Sequence, residues 1–395
     1  MLDYLKSLLR VPEAKASRTA RVIAFDGGGV ARWTPRDYAA LARAGYAKNA
    51  IVYRAVRLVA ESVGALTFVL YEGADELASH PLLDLIARPN PRQDGPAFLE
   101  SVAAYLLLAG NAYVEAVSLP GGGAQGNVRE LYALRPDRMK VVPGPDGWPR
   151  AFDYTVNGAS VRFEQNATQP PILHLTLFNP LDDYYGLSPL EAAACAVDTH
   201  NAAAQWNKAL LDNAARPSGA LVYAGPDGVV LSDQQFERLK RELDRQYQGA
   251  ANAGRPLVLE GGLDWKAMSL SPKDMDFMEA KHAAAREIAL AFGVPPMLLA
   301  IPGDNTYSNY QEASRVFWRQ TVLPAAGRIA AALTQWLAPS FGAGLTLMPD
   351  TDRIEALAAD RSALWARVTA APFLTVNEQR AATGYGPLAG GDVFS

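Results

Sequence analysis

The residues that could do chemistry in this chain are few and widely spaced. Carboxylate pairs occur at Asp182-Asp183 and at Asp350 with Asp352. Two close acids can divide general-acid and general-base work, which would make an intracellular hydrolase. Adjacent acids beside a helix start more often cap it or face water. Gly186-Leu-Ser188 has half of a nucleophile elbow, but the second glycine is missing and Pro189 follows the serine. A helix cap explains that serine better. Cys195 is the single cysteine and lies in a helical stretch, where a buried, inert thiol is expected. One cysteine excludes a disulfide framework and a zinc cluster. His80, His174, His200 and His282 offer no pair at metal-ligand spacing, and His282 falls on an apolar helical stripe as a packing residue. Gly27-Gly28-Gly29 lacks the Lys-Ser/Thr that grips phosphate and Mg²⁺, so it is expected to be a turn. No catalytic, cofactor-binding or metal site is assigned, and no cofactor is expected. The aspartate pairs carry the alternative reading.

Composition narrows the class further. The chain has 395 residues, 49% hydrophobic and 20% charged, which suits a globular protein of several domains. Lys plus Arg number 37 against 41 Asp plus Glu, a formal charge of −4, which excludes a protein held on nucleic acid by strong phosphate neutralisation. A protein that lets DNA slide past without gripping it is not excluded. No apolar stretch is long enough for a membrane span, and Asp3, Lys6 and Arg10 break the pattern of a secretory signal. Arg238, Lys240, Arg241 and Arg245 form a basic cluster interleaved with Glu237, Glu242 and Asp244. It is either a solvated helix face or a docking face for a partner.

The elements that would position these residues divide into two halves. Leu2, Leu5, Leu8 and Leu9 could make a short amphipathic helix, and 11–45 is expected as a loosely ordered arm. Ile51, Val52, Ala55, Val56, Val59 and Val63 predict a helix ending at Gly64, followed by a strand over 66–71. A short helix over 80–87 stops at Pro89-Asn90-Pro91, and an apolar helix over 98–109 stops at Gly110 before a strand to Val117. Gly121-Gly122-Gly123 is a turn, with strands near 130–134, 139–142, 152–156 and 172–178. Residues 46–180 therefore form an α+β unit with an antiparallel sheet. Ser188-Pro-Leu-Glu191 is a capping box opening a helix to about Ala214, roughly 40 Å long at ~1.5 Å per residue. A second long helix runs from Ser271-Pro272 to Gly293, with Pro295-Pro296 as its stop and two apolar stripes. Between them lies an α/β insert over 218–270, whose helix opens with the capping box Ser232-Asp-Gln-Gln235. After a turn-rich loop, Ser308-Asn-Tyr-Gln311 opens a helix to about Leu337, with a kink expected at Pro324. A short strand over 345–348 and terminal helices, one opened by Thr375-Val-Asn-Glu378, finish the chain.

Several segments together resemble one family. They are Asn49-Ala-Ile-Val-Tyr-Arg-Ala-Val-Arg-Leu-Val-Ala-Glu-Ser-Val63, His80-Pro-Leu-Leu-Asp-Leu-Ile-Ala-Arg-Pro-Asn-Pro91, Leu131-Tyr-Ala-Leu-Arg-Pro-Asp-Arg-Met139, Tyr185-Gly-Leu-Ser-Pro-Leu190, and Arg286-Glu-Ile-Ala-Leu-Ala-Phe-Gly-Val-Pro-Pro-Met-Leu-Leu299. Thr375-Val-Asn-Glu-Gln-Arg380 with Gly384-Tyr385 adds a match near the C-terminus. In order and spacing they resemble the portal proteins of tailed bacteriophages, the siphovirus-type head–tail connector, in its gene transfer agent or prophage version. The resemblance implies an α+β portal-like fold with an N-terminal arm (1–45), a mixed α/β wing (46–187), a first stem helix (188–217), a small α/β clip (218–270) and a second stem helix (271–293). A tunnel-loop region (294–307), a kinked helix returning to the wing (308–349) and a short helical crown (350–395) follow. It also implies a non-enzymatic ring, with twelve subunits replacing one capsid vertex, through which double-stranded DNA is packaged and ejected. The implied partners are further copies of the chain, double-stranded DNA without sequence preference, the major capsid protein, the terminase large subunit and the head–tail adaptor. No membrane is implied. The location would be the portal vertex of a virion or phage-like particle assembled in the host cytoplasm. Ile301, Pro302, Gly303, Asp304, Asn305, Thr306 and Tyr307 would then face DNA, and Arg238, Lys240, Arg241 and Arg245 on the clip would dock motor and adaptor. A loop with one Asp and no Lys or Arg suits a surface that DNA slides past.

Overall fold

Asn49 opens the first long helix as its residue type predicts: its Oδ1 accepts the amides of Ile51 and Val52, at 3.0 and 3.2 Å. The structure, a computed structural model, describes residues 33–35, 37–73, 75–118, 128–165, 169–212, 219–223, 263–267, 277–303 and 307–393, with 232, 234, 235, 237, 238 and 241 of the insert. Residues 1–33 and 34–395 separate into two units, and the second is described below. The leucine stretch 1–10, Gly27-Gly28-Gly29 and Gly121-Gly122-Gly123 lie outside the described residues.

Ahead of Asn49, α1 (Tyr38–Leu41) continues into a π-helical turn, Ala42–Tyr46. The end of the expected loose arm is therefore helical. Leu41 explains this, because it is buried in the main core and ties the turn to it. Next come α2 (Ala50–Gly64), β1 (Phe68–Glu72), β2 (Asp75–Leu77), α3 (Pro81–Ala87) and α4 (Gly95–Ala109). His80 caps α3 by accepting the Leu82 amide on Nδ1, and Asp94 caps α4 by accepting from Ala97. The strands β3 (Asn111–Ser118), β4 (Val128–Leu134), β5 (Met139–Pro143), β6 (Pro149–Val156), β7 (Ala159–Glu164) and β8 (Ile172–Thr176) follow. The expected long helix from Ser188 is α5 (Pro189–Ala192) and α6 (Ala194–Asp212), interrupted at Ala193. Ser188 accepts the Glu191 amide at 2.9 Å, without the return bond that would complete a capping box.

The described part of the insert holds β9 (Gly219–Tyr223) and β10 (Leu263–Ala267), an antiparallel pair. Its predicted capping box is present: Ser232 Oγ accepts the Gln235 amide, and the Ser232 amide donates to Gln235 Oε1. Then come α7 (Phe277–Ala291), α8 (Tyr307–Phe317), α9 (Leu323–Phe341), β11 (Leu345–Pro349), α10 (Ala358–Thr369) and α11 (Val376–Ala382). The kink expected at Pro324 takes another form. A π-helical turn, Trp318–Val322, joins α8 to α9 and puts Pro324 in the first turn of α9. There its missing N–H and fixed φ cost nothing. Thr375 and Glu378 complete the predicted capping box of α11.

Among the described residues all the sheets are antiparallel. β1 pairs with β2 and with β11, from Phe68↔Pro349 to Glu72↔Leu345, so the chain returns to its first strand after nearly all other elements. The other sheets run β4-β3-β8 and β5-β6-β7. A main core joins α2, α4, α5, α7 and α9, with Phe98, Leu190, Ile288, Ile329 and Leu333 fully buried. A smaller core of Tyr113, Met139, Val141, Phe152 and Ile172 lies between the two three-stranded sheets of the first half.

In that smaller core His174 is locked by its neighbours. Asn111 Nδ2 donates to the Ala109 carbonyl, so Asn111 Oδ1 must accept both from the Gly186 amide (2.9 Å) and from His174 Nε2 (3.0 Å). Tyr113 stacks on the imidazole at 4.3 Å and Phe152 meets it edge-on at 5.4 Å. Burial pushes the His174 pKa down to about 4. The unfolded chain therefore binds this proton more tightly than the folded one. The neutral imidazole contributes roughly 3 kcal/mol above its unfolded pKa, lost progressively as pH falls from about 6.5 to about 4. Wild type should lose stability between pH 7 and pH 5, and His174→Gln, which keeps a donor but cannot titrate, should lose measurably less. Urea melts at the two pH values give the difference, and equal losses would refute it.

Candidate functional site

The stem-like pair α6 and α7 and the loop after it form the region where the sequence concentrates its candidate DNA contacts. α7 buries Ala284, Ala285, Ile288 and Ala289 and exposes Ala283, Arg286, Glu287 and Leu290. α6 exposes Cys195, Thr199, Ala202 and Trp206 along one stripe. Cys195 is thus a free, exposed thiol rather than the expected buried one. The helix turns Ala194, Ala196 and Ala203 inward and Ala202 outward, and periodicity alone does not say which of two small-residue faces is covered. Two polar ties hold α6 to the segment before it. Thr34 donates through its amide and hydroxyl to Asp198, and Asn49 Nδ2 donates to His200 Nδ1 (3.1 Å) and Asn201 Oδ1 (3.0 Å). Because Asn49 Oδ1 is already used by its helix, His200 must accept at Nδ1. Burial, then the nearby Lys281 and His282, lower its pKa.

Gly293 ends α7 in the left-handed region at φ 65°, and Thr321 of the π-helical turn donates to its carbonyl. A 3₁₀ turn, Pro296–Leu299, and Ala300, also left-handed, reverse the chain. Ile301, expected among the DNA-facing residues, is instead 3% exposed and packed in the main core. Its apolar side chain anchors the loop where it leaves the protein. Pro302 and Gly303 are exposed, while Asp304, Asn305 and Thr306 lie outside the described residues, and α8 begins at Tyr307. The sequence reading missed one residue here. Arg286 reaches from α7 to donate to the Pro302 carbonyl. Its only sequence signal was a cation at an exposed helical position.

Of the basic cluster in the insert, Arg238 and Arg241 are exposed, and Arg241 donates to its own helix at the Glu237 carbonyl. Lys240 and Arg245 lie outside the described residues.

The aspartates proposed for hydrolysis have structural partners. Asp182 Oδ1 accepts the amides of Tyr184 and Tyr185, and Asp183 is exposed beside it. Asp350 accepts the Asp352 amide and pairs with Arg353 at 3.2 Å. Asp352 faces Arg361 and accepts from the Tyr385 hydroxyl. An open cleft of about 600 Å³ beside α10 is lined by Asp352, Asp360, Arg319, Arg361 and Trp365. Its carboxylates are each engaged by guanidinium groups. Among the described residues no group of three or more His, Cys, Asp or Glu could hold a metal ion. No described helix is long and apolar enough to cross a membrane.

A family model described as phage portal protein matches residues 50–384. The chain belongs to the phage portal protein family. Similarity to individual portals agrees. The portal protein of Enterobacteria phage HK97 is 26% identical over 354 residues, covering 87% of this chain and 80% of that protein. A chain in the neck of an empty gene transfer agent particle, computed with C6 symmetry, is 53% identical, with a TM-score of 0.72 over 91% of this chain and 96% of that one. A chain in the neck of the native particle, computed with C12 symmetry, is 52% identical, with a TM-score of 0.69 over 91% of this chain and 97% of that one. The portal resemblance carried by the segments from Asn49 to Tyr385 thus holds over nearly the whole matched range, and the portal fold is the observed architecture.

Proposed function

We propose that twelve copies of this portal protein close into a ring at one vertex of a capsid, and that double-stranded DNA enters and leaves through its axis. The observation that carries this reading is the 52% identity, with 91% of the chain covered, to a chain in the neck of a gene transfer agent particle computed with C12 symmetry. In the ring the stem helices α6 and α7 form the throat and residues 302–307 form the loop nearest DNA. The insert 218–270 docks the terminase large subunit and later the head–tail adaptor, and residues after 350 form the crown beneath the major capsid protein shell. The ring acts without catalysis of its own, as a passage and a docking face. A net charge of −4 per subunit supports passage, because a strongly cationic wall would bind phosphates and stall the duplex. The much higher identity to gene transfer agent necks than to the HK97 portal supports a gene transfer agent type of particle.

Electron microscopy of the protein assembled in particles tests the reading. It should show a twelvefold ring with a central opening, and a compact monomer without a hole would overturn it. The docking role has its own test. Reversing charge with Arg241→Glu and Arg245→Glu should weaken terminase or adaptor binding by about tenfold or more, as expected when interfacial cations meet an acidic partner. Binding measured by titration and unchanged in that variant would return the cluster to a solvated helix face.

A further inference from the structure

We infer that Arg286 is a positioning residue for the chain that follows Ile301: its guanidinium holds the backbone at Pro302 and Gly303, and so sets the direction in which the chain leaves the core there. The inference rests on the channel role proposed for residues 302–307.

The geometry is specific. Arg286 lies on the exposed stripe of α7, opposite the buried Ala284, Ala285, Ile288 and Ala289, so nothing in the core requires it. It reaches across 16 positions of sequence to donate from Nη2 to the Pro302 carbonyl. The next residue is pressed against the same group: a β-carbon on Gly303 would lie 3.1 Å from Nη2 and 3.9 Å from Cζ. Glycine at 303 therefore lets the backbone approach the guanidinium more closely than any other residue would.

Among the described residues, few other bonds hold Pro302 and Gly303. Backbone bonds brace the chain before them: Leu298 donates to Pro295, Ala300 to Met297 and Ile301 to Pro296. Those bonds and the buried Ile301 side chain end together. Pro302 has no amide to donate, and both Pro302 and Gly303 are exposed. At that point Arg286 supplies the tie. Its charge makes the bond stronger than one between neutral groups, and among the described residues no carboxylate lies within ion-pair distance to compete for the guanidinium. Behind the segment, the Thr321 hydroxyl clasps the Gly293 carbonyl, so the stretch between them is closed at its base and latched at its front. Lysine could reach the carbonyl with one donor, but it lacks the planar fork of the guanidinium.

Full-length rings carrying Arg286→Met or Arg286→Lys test the latch. Because Arg286 is exposed, ring assembly and melting temperature should match wild type. Hydrogen exchange in the peptide covering 300–307 should be roughly tenfold or more faster in Arg286→Met, the loss expected for one charge-assisted hydrogen bond, with Arg286→Lys between it and wild type. DNA content per particle should fall in the same order. Unchanged exchange in Arg286→Met overturns the latch, whatever happens to DNA content. Faster exchange with undiminished DNA leaves the latch standing and overturns the channel role of 302–307.

Discussion

Gly186→Ala is expected to give little or no folded protein, and with it no rings. Three backbone segments meet at Gly186: the end of α4, the end of β8 and the entry to α5. A β-carbon there would lie 2.1 Å from the Gly110 carbonyl oxygen and 2.7 Å from both the amide nitrogen and carbonyl oxygen of Leu177. All three atoms are backbone, so no side chain can swing away. The crossing is also hydrogen-bonded, with the Leu177 amide donating to the Gly110 carbonyl at 2.8 Å and the Gly186 amide to Asn111. Gly110 is constrained in return: it stands at φ 70°, and its own β-carbon would meet the Gly186 carbonyl oxygen at 2.3 Å. Separating these strands would break the Asn111–His174 network as well. A cost of about 4 kcal/mol or more follows, comparable with the whole stability of many domains. Soluble yield and thermal melting measure it, and a Gly186→Ala protein melting within about 5 °C of wild type would refute the crossing. Gly327→Ala is the matched control. Gly327 lies inside α9 with nothing within 4 Å of its β-carbon position, so alanine there should be neutral or stabilising by up to about 1 kcal/mol.

Deleting residues 304–306 should leave ring formation intact while particles lose most of their DNA. The segment is bounded by two anchors, Ile301 and Phe317, both buried in the main core. Shortening the chain between them touches neither anchor. Particle DNA measured by absorbance and by gel, beside electron micrographs of the rings, separates the two effects. Full DNA content in intact rings would remove these residues from the passage, and lost rings would give them a structural role instead.

Much of the fold was legible because its signals are local. Asn49, His80, Ser188 and Thr375 each bond an amide two or three residues ahead, so the helix starts could be placed from short windows. The α7 stop at Gly293 and the strands of the first half other than β2 and β7 followed from glycine position and apolar alternation. β7 was not legible, because its residues are nearly all exposed and carry no apolar face. It is a strand because β6 offers it an edge, reinforced by the Arg162–Asp153 pair at 2.7 and 2.9 Å. The π-helical turn at Trp318–Val322 was equally hidden, since Pro324 announces an interruption without saying how the chain will absorb it.

At the candidate site the sequence located the loop but not its parts. It put Ile301 and Pro302 in one exposed run, whereas the core takes the first and releases the second. By itself the sequence determined the helix caps, the alternation of two long helices with an α/β insert, the mild negative charge and the motif order that marks a portal protein. Each of these depends on neighbours within a few positions or on composition. Only the tertiary structure decided that Gly110 and Gly186 touch, that His174 is enclosed enough to stay neutral, that Cys195 faces outward and that Arg286 holds Pro302. Those facts arise where distant segments compete for the same space, and a pattern read along one dimension carries no record of which face of an element another will cover.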